Sequence, residues 1–129
     1  MLPKFQNFFR MILEVLLDGE TKKKSVISEE IAMNYNISEK DIKELTRSNS
    51  GLTKFQDRIS WALVYLLKAE MISRPNKAFY KITEKGKELL KIEQGQIDNY
   101  TLGQHSEQFA QYQYMRTGKK VQKKRKSIN

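Results

Sequence analysis

Lys54, Arg58, Trp61, Tyr65 and Lys68 recur at helical spacing, with Asp57 the one carboxylate among them. Stepping 100° per residue from Ile59 places them, with Val64, opposite a stripe of Phe55, Ile59, Ala62, Leu63 and Leu66. That stripe is the i, i+3, i+4, i+7 pattern of a helix packed on a core. Three cations and two aromatic rings against one anion suit phosphate contact and base contact. Arg58 is the candidate for reading a base edge, because a guanidinium bonds guanine bidentately, while Lys68 offers a point charge to phosphate. A plainer reading competes with this one. Aromatic residues at helical spacing are usually core, so Trp61 and Tyr65 would pack against an N-terminal or C-terminal helix while the cations are merely solvated.

The helix leads into two strand-like runs, Met71-Ile72-Ser73-Arg74 and Ala78-Phe79-Tyr80-Lys81-Ile82, around Pro75-Asn76-Lys77. Proline and asparagine favour a reversal there. A helix followed at once by a basic-tipped hairpin is the pattern of a winged helix-turn-helix, so the expected fold is mainly α with a small β-hairpin. Arg74 and Lys77 would meet the backbone or minor groove. Ahead of the helix, Arg47-Ser48-Asn49-Ser50-Gly51 is a polar loop without periodicity, in which Arg47 could also meet phosphate.

Charge is unevenly spread over the 129 residues, whose formal net charge is +9. Residues 1–20, 21–50, 51–90, 91–118 and 119–129 carry −1, +1, +4, −1 and +6 respectively. The last segment owes its excess to Lys119, Lys120, Lys123, Lys124, Arg125 and Lys126. With no apolar stripe it should be disordered alone, adding non-specific attraction. Such localisation fits a nucleic-acid footprint, although basic tails also bind acidic membranes.

Scarce residue types weigh against an enzyme. Without cysteine there is no disulfide, thiolate metal site or cysteine nucleophile, which fits a reducing cytoplasm. His105 stands alone, so histidine-based metal sites and acid–base pairs have nothing to build from; it reads as a surface or capping histidine. No cofactor or metal is expected. The apolar N-terminal stretch is interrupted by Lys4, Arg10 and Glu14, well short of the roughly 18 uninterrupted apolar residues of a membrane helix.

The other elements must hold the central helix. Phe5, Phe8, Phe9, Ile12, Leu13, Leu16 and Leu17 mark a first helix closed by Asp18-Gly19, whose wide apolar face implies cover from the C-terminal segment or a second copy of the chain. Ser25 is placed to cap a second helix to about Tyr35, and Ser38-Glu39-Lys40-Asp41 to open a short third one. After the hairpin, Thr83 can cap a helix through Ile92, with Gly86 costing some propensity. The organisation expected is a domain over residues 1–93, an extension over 94–118 with a short helix around Ser106–Met115, and the basic tail.

Several of these positions carry a resemblance. The run Phe55-x-x-Arg58-x-x-Trp61-Ala62-x-x-Tyr65-Leu66-x-Lys68-Ala69, a short basic hairpin, and Tyr80-x-Ile82-Thr83-x-x-Gly86 together resemble the N-terminal winged-helix domain of Mrr-type restriction endonucleases. Asp18-Gly19-Glu20 and the Ile37-Ser38-Glu39 helix start are similar too, so the likeness covers roughly residues 5–92. It implies a module that binds DNA ahead of a separate nuclease domain cutting modified DNA. Glu70 stands where the family usually has glycine before the first wing strand, and Asn76-Lys77-Ala78 lacks the usual wing-turn glycine.

Cleavage by such enzymes needs an Asp and a Glu-x-Lys on adjacent strands to hold a divalent metal and activate water. Neither proline precedes an Asp, and Asp41-Ile42-Lys43 falls in a predicted helix as an ordinary solvated pair. No catalysis is expected from this chain, which is either a DNA-binding module by itself or a piece leading toward a nuclease domain or subunit. The sequence therefore points to duplex DNA as partner, with the 55–70 helix in the major groove and the 71–82 wing beside it. The alternative is an accessory or transcription-regulatory protein using the same scaffold as a protein-interaction surface.

Overall fold

The structure, a computed structural model, describes residues 2–46 and 51–118. A 3₁₀ turn (Phe5–Asn7) runs into α1 (Phe8–Val15), followed by β1 (Lys22–Lys23), α2 (Lys24–Asn34), α3 (Glu39–Lys43) and α4 (Lys54–Lys68). Then come β2 (Ile72–Asn76), β3 (Phe79–Ile82), α5 (Glu84–Ile92), α6 (Asn99–His105) and α7 (Glu107–Thr117). The strands form an antiparallel sheet in the order β1-β3-β2. The chain is mainly helical with a small sheet, a winged-helix-like arrangement.

Helix α4 begins where Thr53 Oγ1 accepts the Gln56 N–H at 3.1 Å. This hydroxyl satisfies one of the amides that a helix start leaves without partners. Phe55, Ile59, Ala62, Leu63 and Leu66 are buried, as the spacing predicts. The cap of α3 is also as expected, with Ser38 Oγ accepting the Asp41 N–H at 3.1 Å. Ser25, by contrast, is not a cap. Lys22 and Lys23 pair with Tyr80 and Phe79 as β1, and the Lys24 N–H donates to the Ala78 carbonyl at 2.9 Å, so α2 starts at Lys24, two residues earlier than a Ser25 cap would set it. Periodicity could not reveal a strand of two residues whose partner lies more than fifty positions away.

The wing differs from its sequence reading in one place. Pro75 and Asn76 lie in β2, and the reversal is made by Lys77 and Ala78. The register of β2 against β3 shifts between Ser73 and Asn76. Proline has no N–H to give a ladder, and β2 is an edge strand, where that loss is tolerated. The two positions lacking the family's glycine keep a glycine-like backbone: φ is +64° at Glu70 and +66° at Ala78. Left-handed backbone costs an L-residue roughly 1–2 kcal/mol.

Gly86 has a stronger reason to be glycine than its helix propensity suggests. Thr83 Oγ1 accepts its N–H at 3.1 Å, and Thr83 in turn donates its hydroxyl to the Glu70 carbonyl at 2.7 Å and its N–H to the Met71 carbonyl at 3.1 Å, which holds the first turn of α5 against the segment joining α4 to the wing. A Cβ there would stand 2.2 Å from the Met71 carbonyl oxygen and 2.8 Å from Ile82 Cγ1.

The wide apolar face of α1 is covered by the chain's own C-terminal segment. Arg10 donates to the carbonyls of Glu93 and Gly95 at 2.8 and 2.9 Å, and Gln6 Oε1 accepts the Asn99 N–H at 2.7 Å. These bonds bring Ile97, Leu102 and Phe109 into the same core as Phe8, Phe9 and Leu13. The helix expected around Ser106–Met115 is α7, capped by Ser106 Oγ on the Phe109 N–H at 3.1 Å. Helix α6 was not foreseen. Asp98 Oδ1 caps it through the N–H and hydroxyl of Thr101, both at 3.0 Å, inside a glutamine- and tyrosine-rich stretch with little periodicity. His105, at its end, lies 3.3 Å from Glu93.

Candidate nucleic-acid interface

The outward side of α4 is not uniformly free. Tyr65 is 8% exposed and leaves the expected contact face altogether. Its ring packs on Phe5, Phe9, Phe109 and Tyr112 at centroid distances of 5.2, 6.1, 5.6 and 5.9 Å. The reason is that the 3₁₀ turn and α7 both close on this flank, which an isolated helical wheel does not show. Arg58, the candidate for base readout, is half-buried and spends one guanidinium nitrogen on the Leu2 and Pro3 carbonyls at 3.3 and 2.7 Å. Trp61 remains 46% exposed, with the Arg116 guanidinium of α7 5.3 Å from its ring centre.

The lysines at the two ends of α4 are also engaged. Lys54 pairs with Glu44 at 2.6 Å, and that hydrogen bond with its positive charge holds the Glu44 carboxyl below the usual carboxylate range. Lys68 is exposed and sits 5.2 Å above the Tyr112 ring. A salt bridge at the surface is worth little, about 0–1 kcal/mol, so Lys54 can exchange Glu44 for a phosphate. Arg47 and the six tail cations Lys119, Lys120, Lys123, Lys124, Arg125 and Lys126 lie outside the described residues.

A second group of cations gathers on the opposite flank of α4. Pairing of β1 with β3 sets Lys23 beside Phe79, where its ammonium lies 5.9 Å from the ring centre. Lys24 Nζ donates to Ser60 Oγ on α4. Arg74, Lys77 and Lys81 of the wing are all exposed, with the Arg74 guanidinium 5.9 Å from the Tyr80 ring. The strand pairing thus brings the Lys23-Lys24 run, the Gln56 and Ser60 side of α4, and the wing into one neighbourhood.

Lys22 does not belong to that group. It is 11% exposed and bonded to Asp18 at 2.9 Å, Glu30 at 3.0 Å and the Val15 carbonyl at 3.0 Å. Burial works against its charge, but the hydrogen bonds it donates to Asp18 and Glu30 prevail and raise its pKa. Asp18 is correspondingly lowered, first by the Glu20 N–H and then by Lys22. This is a structural lock between the start of β1 and α2.

Sequence reasoning missed Lys23 and Lys24 because their segment sums to only +1. The carboxylates of Glu29, Glu30, Glu39, Asp41 and Glu44 cancel them in a segment total. The signal that could have found them is local: Thr21-Lys22-Lys23-Lys24 running into the start of a helix.

Asp41-Ile42-Lys43 lies within and just after the first turn of α3, and Lys43 pairs with Glu39 at 2.8 Å. Among the described residues, no three His, Asp or Glu side chains are grouped so as to hold a metal ion, and no helix is long and apolar enough to cross a membrane.

No curated protein and no solved structure matches the chain. The family model of the Mrr N-terminal domain matches residues 5–92, a span from the 3₁₀ turn under Tyr65 to the last residue of α5. It contains α4, the wing, the Lys23-Lys24 run and the close approach at Gly86, so the chain belongs to the Mrr N-terminal domain family.

Proposed function

We propose that this chain is the DNA-binding module of an Mrr-type restriction system and that it grips duplex DNA with the wing flank of α4. Lys23 and Lys24 beside the wing, Arg74, Lys77 and Lys81 on it, and the polar Gln56 and Ser60 on α4 form the contact surface. The observation that carries this reading is the pairing of β1 with β3 in a chain of this family, because it adds two lysines to a hairpin already basic at its tip. Lysines and exposed arginines of this kind bind the phosphate backbone and fix register, giving affinity with weak sequence preference.

Lys54 and Lys68 extend the positive field along α4, and the cations after Gly118 add sequence-independent attraction to phosphate. Cutting belongs to a separate nuclease domain or subunit, and the module itself performs no catalysis. Titration of a short, fully paired duplex at low salt tests the reading. Binding should weaken steeply with added salt, with a slope in log–log form of about 0.9 per phosphate neutralised. Failure to bind any duplex at low salt would overturn it in favour of a protein-interaction surface.

A further inference from the structure

On the flank of α4 away from the wing, the 3₁₀ turn, α4 and α7 enclose a cleft of about 460 Å³. Its walls include the rings of Phe5, Trp61 and Tyr65, and its charged groups are Lys4, Arg58, Arg116 and the single carboxylate Asp57. Three cations against one anion leave a net charge of +2 in a space whose volume suits a small ligand.

Arg116 makes the cleft unusual. Its guanidinium is held by rings and hydroxyls, 5.3 Å from the Trp61 centre, 5.7 Å from Tyr65, and bonded to Tyr65 Oη at 3.1 Å and Tyr112 Oη at 3.5 Å. No carboxylate neutralises it among the described residues. A positive charge oriented by aromatic faces, beside a half-exposed indole, offers both halves of what a nucleotide presents: a flat π-system to stack and a phosphate to bond. Arg58 is anchored by the Leu2 and Pro3 carbonyls, so its position on the cleft wall is fixed before any ligand arrives.

The geometry points to a nucleotide-binding cleft that stacks one base against Trp61 and bonds its phosphate through Arg116, Arg58 and Lys4. The unit is a single unstacked nucleotide, which is either free or part of an unpaired strand. Nothing in the site requires the paired duplex held on the wing flank, and the cleft stands on its own residues.

Trp61 is the sole tryptophan and therefore a reporter inside the site. With the full chain, adenosine 5′-monophosphate should quench its fluorescence saturably in the millimolar range or below. Adenosine without phosphate, and inorganic phosphate without base, should each bind at least about tenfold more weakly, the factor expected for losing stacking or charge-assisted bonds. Arg116→Gln and Lys4→Gln, both at exposed positions that leave the core intact, should each weaken the nucleotide by roughly threefold to tenfold.

A single-stranded oligonucleotide that saturates the signal at lower concentration than the mononucleotide assigns the cleft to strands, and the reverse order assigns it to free nucleotides. Absence of saturable quenching, equal quenching by phosphate alone, or an affinity unmoved by both substitutions would overturn the inference. None of those failures would disturb duplex binding by Lys23 and Lys24, so the two proposals can fall separately.

Discussion

The two flanks of α4 hold their positive charge in opposite ways. Toward the termini, Arg58 and Arg116 are fastened to carbonyls, hydroxyls and rings, and Tyr65 is buried among four other aromatic side chains. Toward the wing, the cations stand on a strand pairing and a hairpin, and Arg74, Lys77, Lys81 and Lys23 are exposed. A helical wheel separates core from not-core, but what lies outside the core can still be covered by another part of the same chain. One flank has become an architectural joint with a cleft in it. The other is left to meet a partner.

Substitutions that break the joint should have the largest effects. Tyr65→Ala removes a ring from the packing between the 3₁₀ turn, α1, α4 and α7 and should cost about 3–5 kcal/mol, read as a shift in the denaturation midpoint. Leu63→Ala, on the core stripe, should cost roughly 2–5 kcal/mol. Gly86→Ala should destabilise by about 3 kcal/mol, because the Met71 carbonyl is backbone and cannot simply turn aside. On the wing flank, Lys24→Gln should change stability by less than about 0.5 kcal/mol while weakening duplex binding. If Lys24→Gln unfolds the protein and Tyr65→Ala does not, the division between joint and contact surface is wrong.

A gain of stability should come from the positions that depart from glycine. Glu70→Gly and Ala78→Gly each relieve a left-handed residue, a gain of about 1–2 kcal/mol, offset by the roughly 0.5–1 kcal/mol of extra unfolded-state freedom. A net increase of up to about 1.5 kcal/mol is expected, and smaller at Glu70, whose carboxylate lies 3.5 Å from Lys85. A loss of stability at both sites would show that the turn does not need glycine geometry.

The smallest effect concerns pH. Asp18, with its folded pKa below the ordinary 3.8, contributes stability that is complete above that value and disappears as pH falls through the folded one. Lys22, with its pKa raised above 10.5, contributes below that value and loses its share as pH rises through the folded one. Asp18→Asn should therefore flatten the acid limb of the stability profile and remove a constant amount at neutral pH. An unchanged acid limb would contradict the lock.

How much of this was legible beforehand depended on the range of the interactions. The core stripe of α4, the caps of α3 and α5, and the position of the wing follow from spacing and residue type within a few turns, and the structure agrees with them. The two-residue β1 depends on a distant partner and left only a basic triplet as its trace. Pro75 read as a turn residue because proline usually marks reversals, whereas on an edge strand its missing N–H merely shifts the register. For the site, residue type suggested Arg58 as the reader of bases, and only the fold shows one of its guanidinium nitrogens bonded to the Leu2 and Pro3 carbonyls. The wide apolar face of α1 did announce that something must cover it. Arg10 and Gln6 reaching Glu93, Gly95 and Asn99 show that the cover is the segment after residue 92.

The salt dependence of binding to a fully paired duplex tests the central claim most directly, measured for the parent chain, for Lys23→Gln/Lys24→Gln and for Arg58→Gln. The double substitution should make the negative slope of log affinity against log salt shallower by about 1.8, two phosphate contacts at about 0.9 each, while Arg58→Gln should leave the slope nearly unchanged. A slope that flattens with Arg58→Gln and is untouched by the loss of Lys23 and Lys24 would put the DNA on the other flank of α4 and contradict the account.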